Sequence, residues 1–202
     1  MKNRKKATLV CSAALVGVIG IGATLAYFTD SDEATNTVTM GHVDIDLTES
    51  NGESITDDGL TFDNVMPGDT ITKIPTITVR ADSQDAYVRM KMDIKPNEGS
   101  GITQKDIAEL ENLLRQEIVE GTDWAYDGEY YYYDQAMAAG SQVNFFDEVR
   151  IPTTWTNNTA DKSFTISLQA EAIQAANVTP EMGSDGEHIM GWPEAAIEKY
   201  AE

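Results

Sequence analysis

The sequence predicts a mainly β protein, an antiparallel two-sheet β-sandwich with one inserted helix, preceded by an N-terminal signal helix. Three observations lead there. Seven or eight short runs alternate apolar and polar residues, one stretch alone carries a sustained helical period, and the first 26 residues differ in kind from all that follow.

The N-terminal segment comes first. Lys2, Arg4, Lys5 and Lys6 precede an uncharged, mostly apolar stretch from Ala7 to Ala26. A basic n-region, an apolar h-region and small residues at its end are the layout of a secretory signal peptide. The stretch has the roughly 20 residues that a bilayer span needs. However, Gly17, Gly20 and Gly22 dilute it, and it closes Thr24-Leu25-Ala26 with small residues at −3 and −1. Cleavage between Ala26 and Tyr27 is the expectation, giving a signal peptide 1–26 and a domain 27–202. Either outcome puts the domain outside the cytoplasm, with a membrane as partner only before cleavage. Cys11, the only cysteine, lies in the leader, and the bulky Val10 before it argues against lipidation. The mature domain therefore has no disulfide and relies on packing, as in a bacterial-style secreted protein.

The strands follow in order. "TVTMGHVDIDL" (37–47) alternates, but Val38 and Met40 are even-numbered while Val43, Ile45 and Leu47 are odd. One extra residue at Gly41-His42 restores a single face, the pattern of a β-bulge. "LTFDNV" (60–65) is a short strand, and "MPGD" (66–69) centres Pro-Gly in a type II turn. "TITKIPTITVR" (70–80) is a strand with Pro75 at an edge or bulge. In "AYVRMKMDI" (86–94) strict alternation predicts a dry face and a wet face, with Arg89 on the wet one. "WAYDGEYYYYDQ" (124–135) reads as a hairpin turning at Asp127-Gly128. Two of its four tyrosines then point inward and two line the outer face. "QVNFFDEVRI" (142–151) and "SFTISLQAEAI" (163–173) complete the set. The helix is 103–121: Thr103 and Asp106 open it like a capping box, Ile107, Leu110, Leu114 and Ile118 form its stripe, and Gly121 ends it. A shorter helix is expected from Pro193 to Tyr200. The loops 48–59 and 177–191 read as polar and mobile.

Composition narrows the function classes. All 34 Asp and Glu follow residue 26, with 10 of the 14 Lys and Arg, so the mature chain carries about −24. That is the wrong sign for phosphate binding, and nucleic acid is not an expected partner.

The segment "ATLAYFTDSDEATNTVTMGHVDIDLTE" (23–49) resembles the export signal and mature N-terminus of the TasA/camelysin family. "NVMPGDTITKIPTITVRADSQDAYVRMKM" is similar to that family's PGD turn with its flanking strands, and "FTISLQAEAIQA" resembles its penultimate strand. The likeness is strongest over 23–49 and 64–92. It implies an extracellular jelly-roll domain, cut by a dedicated signal peptidase, that in several members is a fibre subunit of the bacterial biofilm matrix. It further implies assembly by donor-strand exchange, one subunit's N-terminal segment completing the sandwich of the next. Some relatives are instead named as camelysin-type cell-surface metallopeptidases.

The residues give catalysis little to work with. The chain has two histidines, His42 and His188, no H-E-x-x-H and no G-x-S-x-G. No cofactor and no catalytic residue is expected. Calcium is a minor candidate at "DSDEATN" (30–36) and "TDDG" (56–59), neither of which matches the twelve-residue calcium loop. The stronger candidate is the strand 27–47, with Tyr27, Phe28, Val38, Met40, Val43, Ile45 and Leu47 as donor residues. Laid on a neighbour's open sheet edge, it gains main-chain hydrogen bonds and side-chain pockets, and the contact propagates head to tail. The alternative is that 27–47 completes its own sheet. The expectation is therefore a secreted or cell-surface matrix protein that is its own principal partner, with other matrix proteins as further candidates. A metallopeptidase and a membrane-anchored adhesin retaining residues 1–26 are the rivals.

Overall fold

A computed structural model describes residues 43–50, 52, 55, 59–155 and 162–193, all within the unit Gly41–Glu202. The predicted leader, the bulge at Gly41-His42 and all but Pro193 of the expected last helix lie outside these residues. The described elements are β1 (Ile45–Thr48), β2 (Leu60–Val65), β3 (Thr70–Thr72), β4 (Thr76–Val79), β5 (Ala86–Pro96), α1 (Gln104–Val119), β6 (Trp124–Tyr126), β7 (Tyr131–Tyr133), β8 (Gln142–Asn144), β9 (Glu148–Arg150), β10 (Lys162–Gln174), β11 (Glu181–Met182) and β12 (Ile189–Gly191). Every ladder between them is antiparallel, and the fold is an antiparallel β-sandwich.

The spine of the larger sheet is the pairing of β5 with β10, from Phe164 opposite Pro96 to Gln174 opposite Ala86. Around it the strand order is β2-β10-β5-β7-β6. Alternation places Val88, Met90 and Ile94 against Ala172, Ala170 and Ile166 on the inner face, as expected. The rings of Phe62 and Phe164 stack at 4.8 Å in that layer. A second sheet, β1-β4-β8, supplies Ile77 and Val79 to the same core, and the pair β3-β9 supplies Val149. Each such side chain, wholly removed from water, contributes roughly 1.5–3 kcal/mol.

Helix α1 forms as the pattern predicts. Thr103 caps it, with the reciprocal bonds of a capping box to Asp106. Ile107, Leu110, Leu114 and Ile118 are buried in the sandwich core, and the chain leaves through Gly121 at φ +73°. "MPGD" is the predicted turn: Gly68 has φ +87°, and the Asp69 N–H donates to the Met66 carbonyl at 3.0 Å.

Four expectations are corrected. The run 70–80 is two strands, and so is 142–151: β3 pairs with β9 and β4 with β8. Thr72 faces Glu148 and Thr76 faces Asn144, so the register is unchanged across the gap. Pro75 has no N–H to give, and its carbonyl alone holds the middle by accepting from the Phe145 N–H at 2.8 Å. The hairpin turns one residue later than expected. Tyr126 faces Tyr131, and the Asp127 N–H donates to the Tyr130 carbonyl, leaving Gly128-Glu129 at the tip. The Asp127 carboxylate accepts from the N–H groups of both Glu129 and Tyr130 at 2.7 Å, which draws the turn past it. The stretch 177–191 holds the hairpin β11-β12, with Ile189 buried and Trp192 buried just after it. Lastly, the predicted wet face of β5 is covered at Arg89, which is 6 % exposed.

Candidate functional site

The N-terminal strand is the first site to place. Ala26, Tyr27, Phe28, Val38, Met40 and His42 lie outside the described residues, as do 30–36 and 56–58. Val43, Ile45 and Leu47 lie within them. Val43 is buried, Ile45 and Leu47 pack on the same core, and β1 pairs with β4 of its own chain. The last part of the predicted donor segment thus completes its own sheet, and residues 27–42 lead into it.

The three-stranded sheet ends in two edges, β1 and β8. In an antiparallel ladder alternate residues turn their backbone groups toward and away from the partner. The Arg80 N–H donates to the Asp44 carbonyl at 3.0 Å, so Ile45 and Leu47 turn theirs to the outer side of β1. There the Leu47 carbonyl accepts from the Ile55 N–H at 3.3 Å. On the other side of β4, the Phe145 N–H donates to Pro75 and the Val79 N–H to Ser141, which turns Gln142 and Asn144 outward. Trp124 on β6, itself the edge of the larger sheet, reaches across and donates Nε1–H to the Asn144 carbonyl at 3.1 Å. Beside these two edges lies a groove of about 600 Å³, whose lining includes Trp124, Tyr133, Val143, Phe146, Glu117, Asp123 and Asp147.

The outer face of the larger sheet carries the second constellation. Arg89 donates from Nε to Glu171 Oε2 at 2.8 Å, from Nη2 to the same oxygen, and from Nη1 to the Tyr132 hydroxyl at 3.2 Å. Its guanidinium lies 3.8 Å from the Tyr130 ring centre and 4.6 Å from that of Trp192. Burial works against the charge, but the bonds to Glu171 and Tyr132 outweigh it and hold the guanidinium above its ordinary pKa. Burial is also what raises the Tyr132 hydroxyl, against the pull of Arg89. Tyr132, Ile173, Ile189 and Trp192 make a small core here, with Tyr87, Tyr130 and Val178 at its margin. The tyrosines alternate as predicted, but the outer pair is roofed by the C-terminal hairpin rather than bare.

Asp134 ties that hairpin down. One oxygen accepts from the Ile189 N–H at 2.8 Å and the other meets His188 Nδ1 at 2.5 Å. The hydrogen bond to Asp134 raises the His188 pKa. Sequence reasoning placed His188 on a polar loop and Arg89 on the wet face of its strand, and gave no role to Asp134 or Trp192. The available signals were an aromatic residue, Tyr87, on the same face as Arg89 and the apolar "HIMGW" after an acidic turn.

The described residues form an all-antiparallel sandwich with one capped helix and edge strands at both ends of its smaller sheet, which defines the class as an antiparallel β domain. Residues 2–126 match the family described as camelysin metallo-endopeptidase, and the chain belongs to that family. It is, with that family, a cell-surface or secreted protein. No curated protein and no solved structure matches the chain.

The family's description implies a metal ion, and a catalytic metal needs about three protein ligands. Among the described residues no three His, Cys, Asp or Glu side chains converge. His188 is engaged with Asp134, its neighbours Asp185 and Glu187 sit on the same turn, and the Asp185 carboxylate is taken by the N–H groups of Glu187 and His188. The described residues do not fit such a centre.

Proposed function

We propose that this protein is a structural component of an extracellular matrix that polymerises head to tail, the segment beginning at Tyr27 docking on the sandwich of the next copy. One observation carries the reading. The first described strand of the sandwich, β1, is an edge strand, and in sequence it follows the alternating stretch Thr37–Met40 and, before that, the acidic segment 27–36 that begins Tyr27-Phe28. Ile45 and Leu47 hold the strand in its own sheet, which leaves Tyr27, Phe28, Val38 and Met40 as the donor side chains. Donor and acceptor surfaces differ, so such a contact does not close on itself and grows into a filament. Cleavage after Ala26 by a signal peptidase frees the donor.

The test is deletion of Tyr27–Asn36. The account expects a folded, soluble monomer, and fibres of normal abundance in electron micrographs would sink it. The family's description favours a second reading, a cell-surface metallopeptidase. Chelator-sensitive cleavage of casein by the purified mature chain would establish it, and inactivity at all metal concentrations would remove it.

A further inference from the structure

We propose that the hairpin β11-β12 is a lid over the Arg89 face, latched by His188 against Asp134, and that it opens more readily, with the sandwich intact, once that histidine loses its proton.

The hairpin is attached lightly. β11 and β12 form a two-stranded sheet of their own and join no ladder of the sandwich. Two strands alone are at best marginally stable in water, so the hairpin keeps its shape by docking. Among the described residues, its hydrogen bonds to the sandwich both end on Asp134: the Ile189 N–H at 2.8 Å and His188 Nδ1 at 2.5 Å. The rest of the attachment is side-chain packing through Ile189 and through Trp192, whose ring meets that of Tyr132 edge-on at 5.8 Å. These residues form a small core separate from the main one. Closure also has a cost. Trp192 Nε1 is buried with no hydrogen-bond partner among the described residues, and an open lid returns that donor to water.

The connector supplies a hinge. The Ala175 N–H donates to the Asp85 carbonyl at 2.8 Å and anchors the end of β10. Beyond it lies a single turn, closed by the Val178 N–H on the Ala175 carbonyl at 3.4 Å, with Asn177 at φ +64°. Asn is one of the few residues besides glycine that rest in this left-handed region. A change of backbone angles at this turn moves the hairpin and leaves β10 in its ladder with β5.

The latch sets one histidine among acids. Asp134 faces His188 from the segment after β7, and Asp185 and Glu187 face it from its own turn. Asp123, before β6, gives its carbonyl to the Asp134 N–H and its carboxylate to Gln135. The ion pair that Asp134 makes, among the described residues, is with His188. Loss of the proton removes that attraction and leaves the acidic turn of the lid repelling Asp134. The hydrogen bond to Asp134, helped by the charges of Asp185 and Glu187, holds the closed-state pKa above 6.5. The latch is therefore complete below 6.5 and is lost as pH rises through the closed-state value.

Hydrogen exchange of the mature chain 27–202 tests this, read by mass spectrometry on fragments covering the lid, 181–192, and β5, 86–96. Protection is taken relative to an unstructured chain at the same pH. At pH 6 the lid is expected to be less protected than β5. Between pH 6 and pH 9 it is expected to lose a further factor of about three, as a half-exposed ion pair warrants, while β5 keeps its protection. Asp134→Asn retains an oxygen for the Ile189 N–H but not the charge. Its lid is expected to be about threefold less protected than the wild type at pH 6 and to show no response to pH. The β5 fragment reports in the same sample whether the variant has folded, and if it has not, the wild-type comparison decides alone. Equal protection of lid and β5 at pH 6 would mean that the hairpin opens only with the whole domain, and overturns the proposal. So does a lid whose protection is the same at both pH values, or a folded Asp134→Asn that keeps the wild-type response.

Discussion

Replacing Arg89 by Met tests the energetics of the covered face. The substitution keeps the apolar stem and removes the guanidinium, which now makes two bonds to Glu171, one to Tyr132, and stacks on Tyr130 and Trp192. Truncating one partner of a fully buried ion pair costs about 3–5 kcal/mol. The side chain of Glu171 is 21 % exposed, so water repays part of the loss once Arg89 is gone. Lost contacts over the two rings add about 0.5–2 kcal/mol. The sum points to about 3 kcal/mol for Arg89→Met. Glu171→Gln alone should cost less, because the amide oxygen still accepts from the guanidinium. The double variant should then recover part of the summed loss, with a coupling of about 2 kcal/mol. Urea unfolding of the four proteins measures this. At a slope near 2 kcal/mol/M the Arg89→Met midpoint falls by roughly 1.5 M. A loss under about 1 kcal/mol with negligible coupling would refute the assignment of Arg89 as the anchor of this face.

Three further outcomes are expected. Gly59→Ala should destabilise the fold by at least about 2 kcal/mol in the same unfolding assay, because φ is +67° and a Cβ would lie 2.3 Å from the Ile166 carbonyl oxygen. Thr103→Ala, which deletes the cap of α1, should cost about 1 kcal/mol and reduce helix content only slightly. His188→Gln should be most damaging in acid. The folded pKa of His188 is raised by Asp134, with smaller help from Asp185 and Glu187, so its contribution is complete below the unfolded value of 6.5 and is lost as pH rises through the folded one. Stability of the two proteins compared from pH 5 to 9 checks the sign, and a gap that widens with rising pH would contradict it.

The parts of the fold legible in the sequence are those where one physical pattern runs long enough to speak. Strict alternation over 86–94 and 163–173 identified the inner faces of β5 and β10, and the stripe from Ile107 to Ile118 with its Thr103 cap identified α1. Alternation reports only which face is apolar, so it could not show that the polar face of β5 is roofed too. Arg89 is buried because aromatic rings and Glu171 take the place of water, an arrangement contributed by β7, β10 and the segment after β12. Strands of two and three residues, such as β11 and β12, are too short for any period, and their acidic turn looked like a solvated loop. The later hairpin turn depends on a side chain, Asp127, outbidding the usual preference for Asp-Gly at the tip. The groove of the candidate site was invisible for a similar reason: α1, β6 and β8 each contribute a few residues, and no contiguous motif marks it. The N-terminal strand was legible as an alternating pattern, and Val43, Ile45 and Leu47 serve their own sandwich, so the proposed donor is confined to the residues before them.

Head-to-tail growth through the N-terminal segment is tested most directly by mixing. A chain lacking Tyr27–Asn36 still has the acceptor face but cannot donate, so it should cap a growing end. Fibre length in electron micrographs is measured as the truncated chain is added to the mature one at increasing mole fraction. The account predicts that mean length falls steadily, from substoichiometric amounts onward. Fibres of unchanged length at equal amounts of the two chains would contradict it.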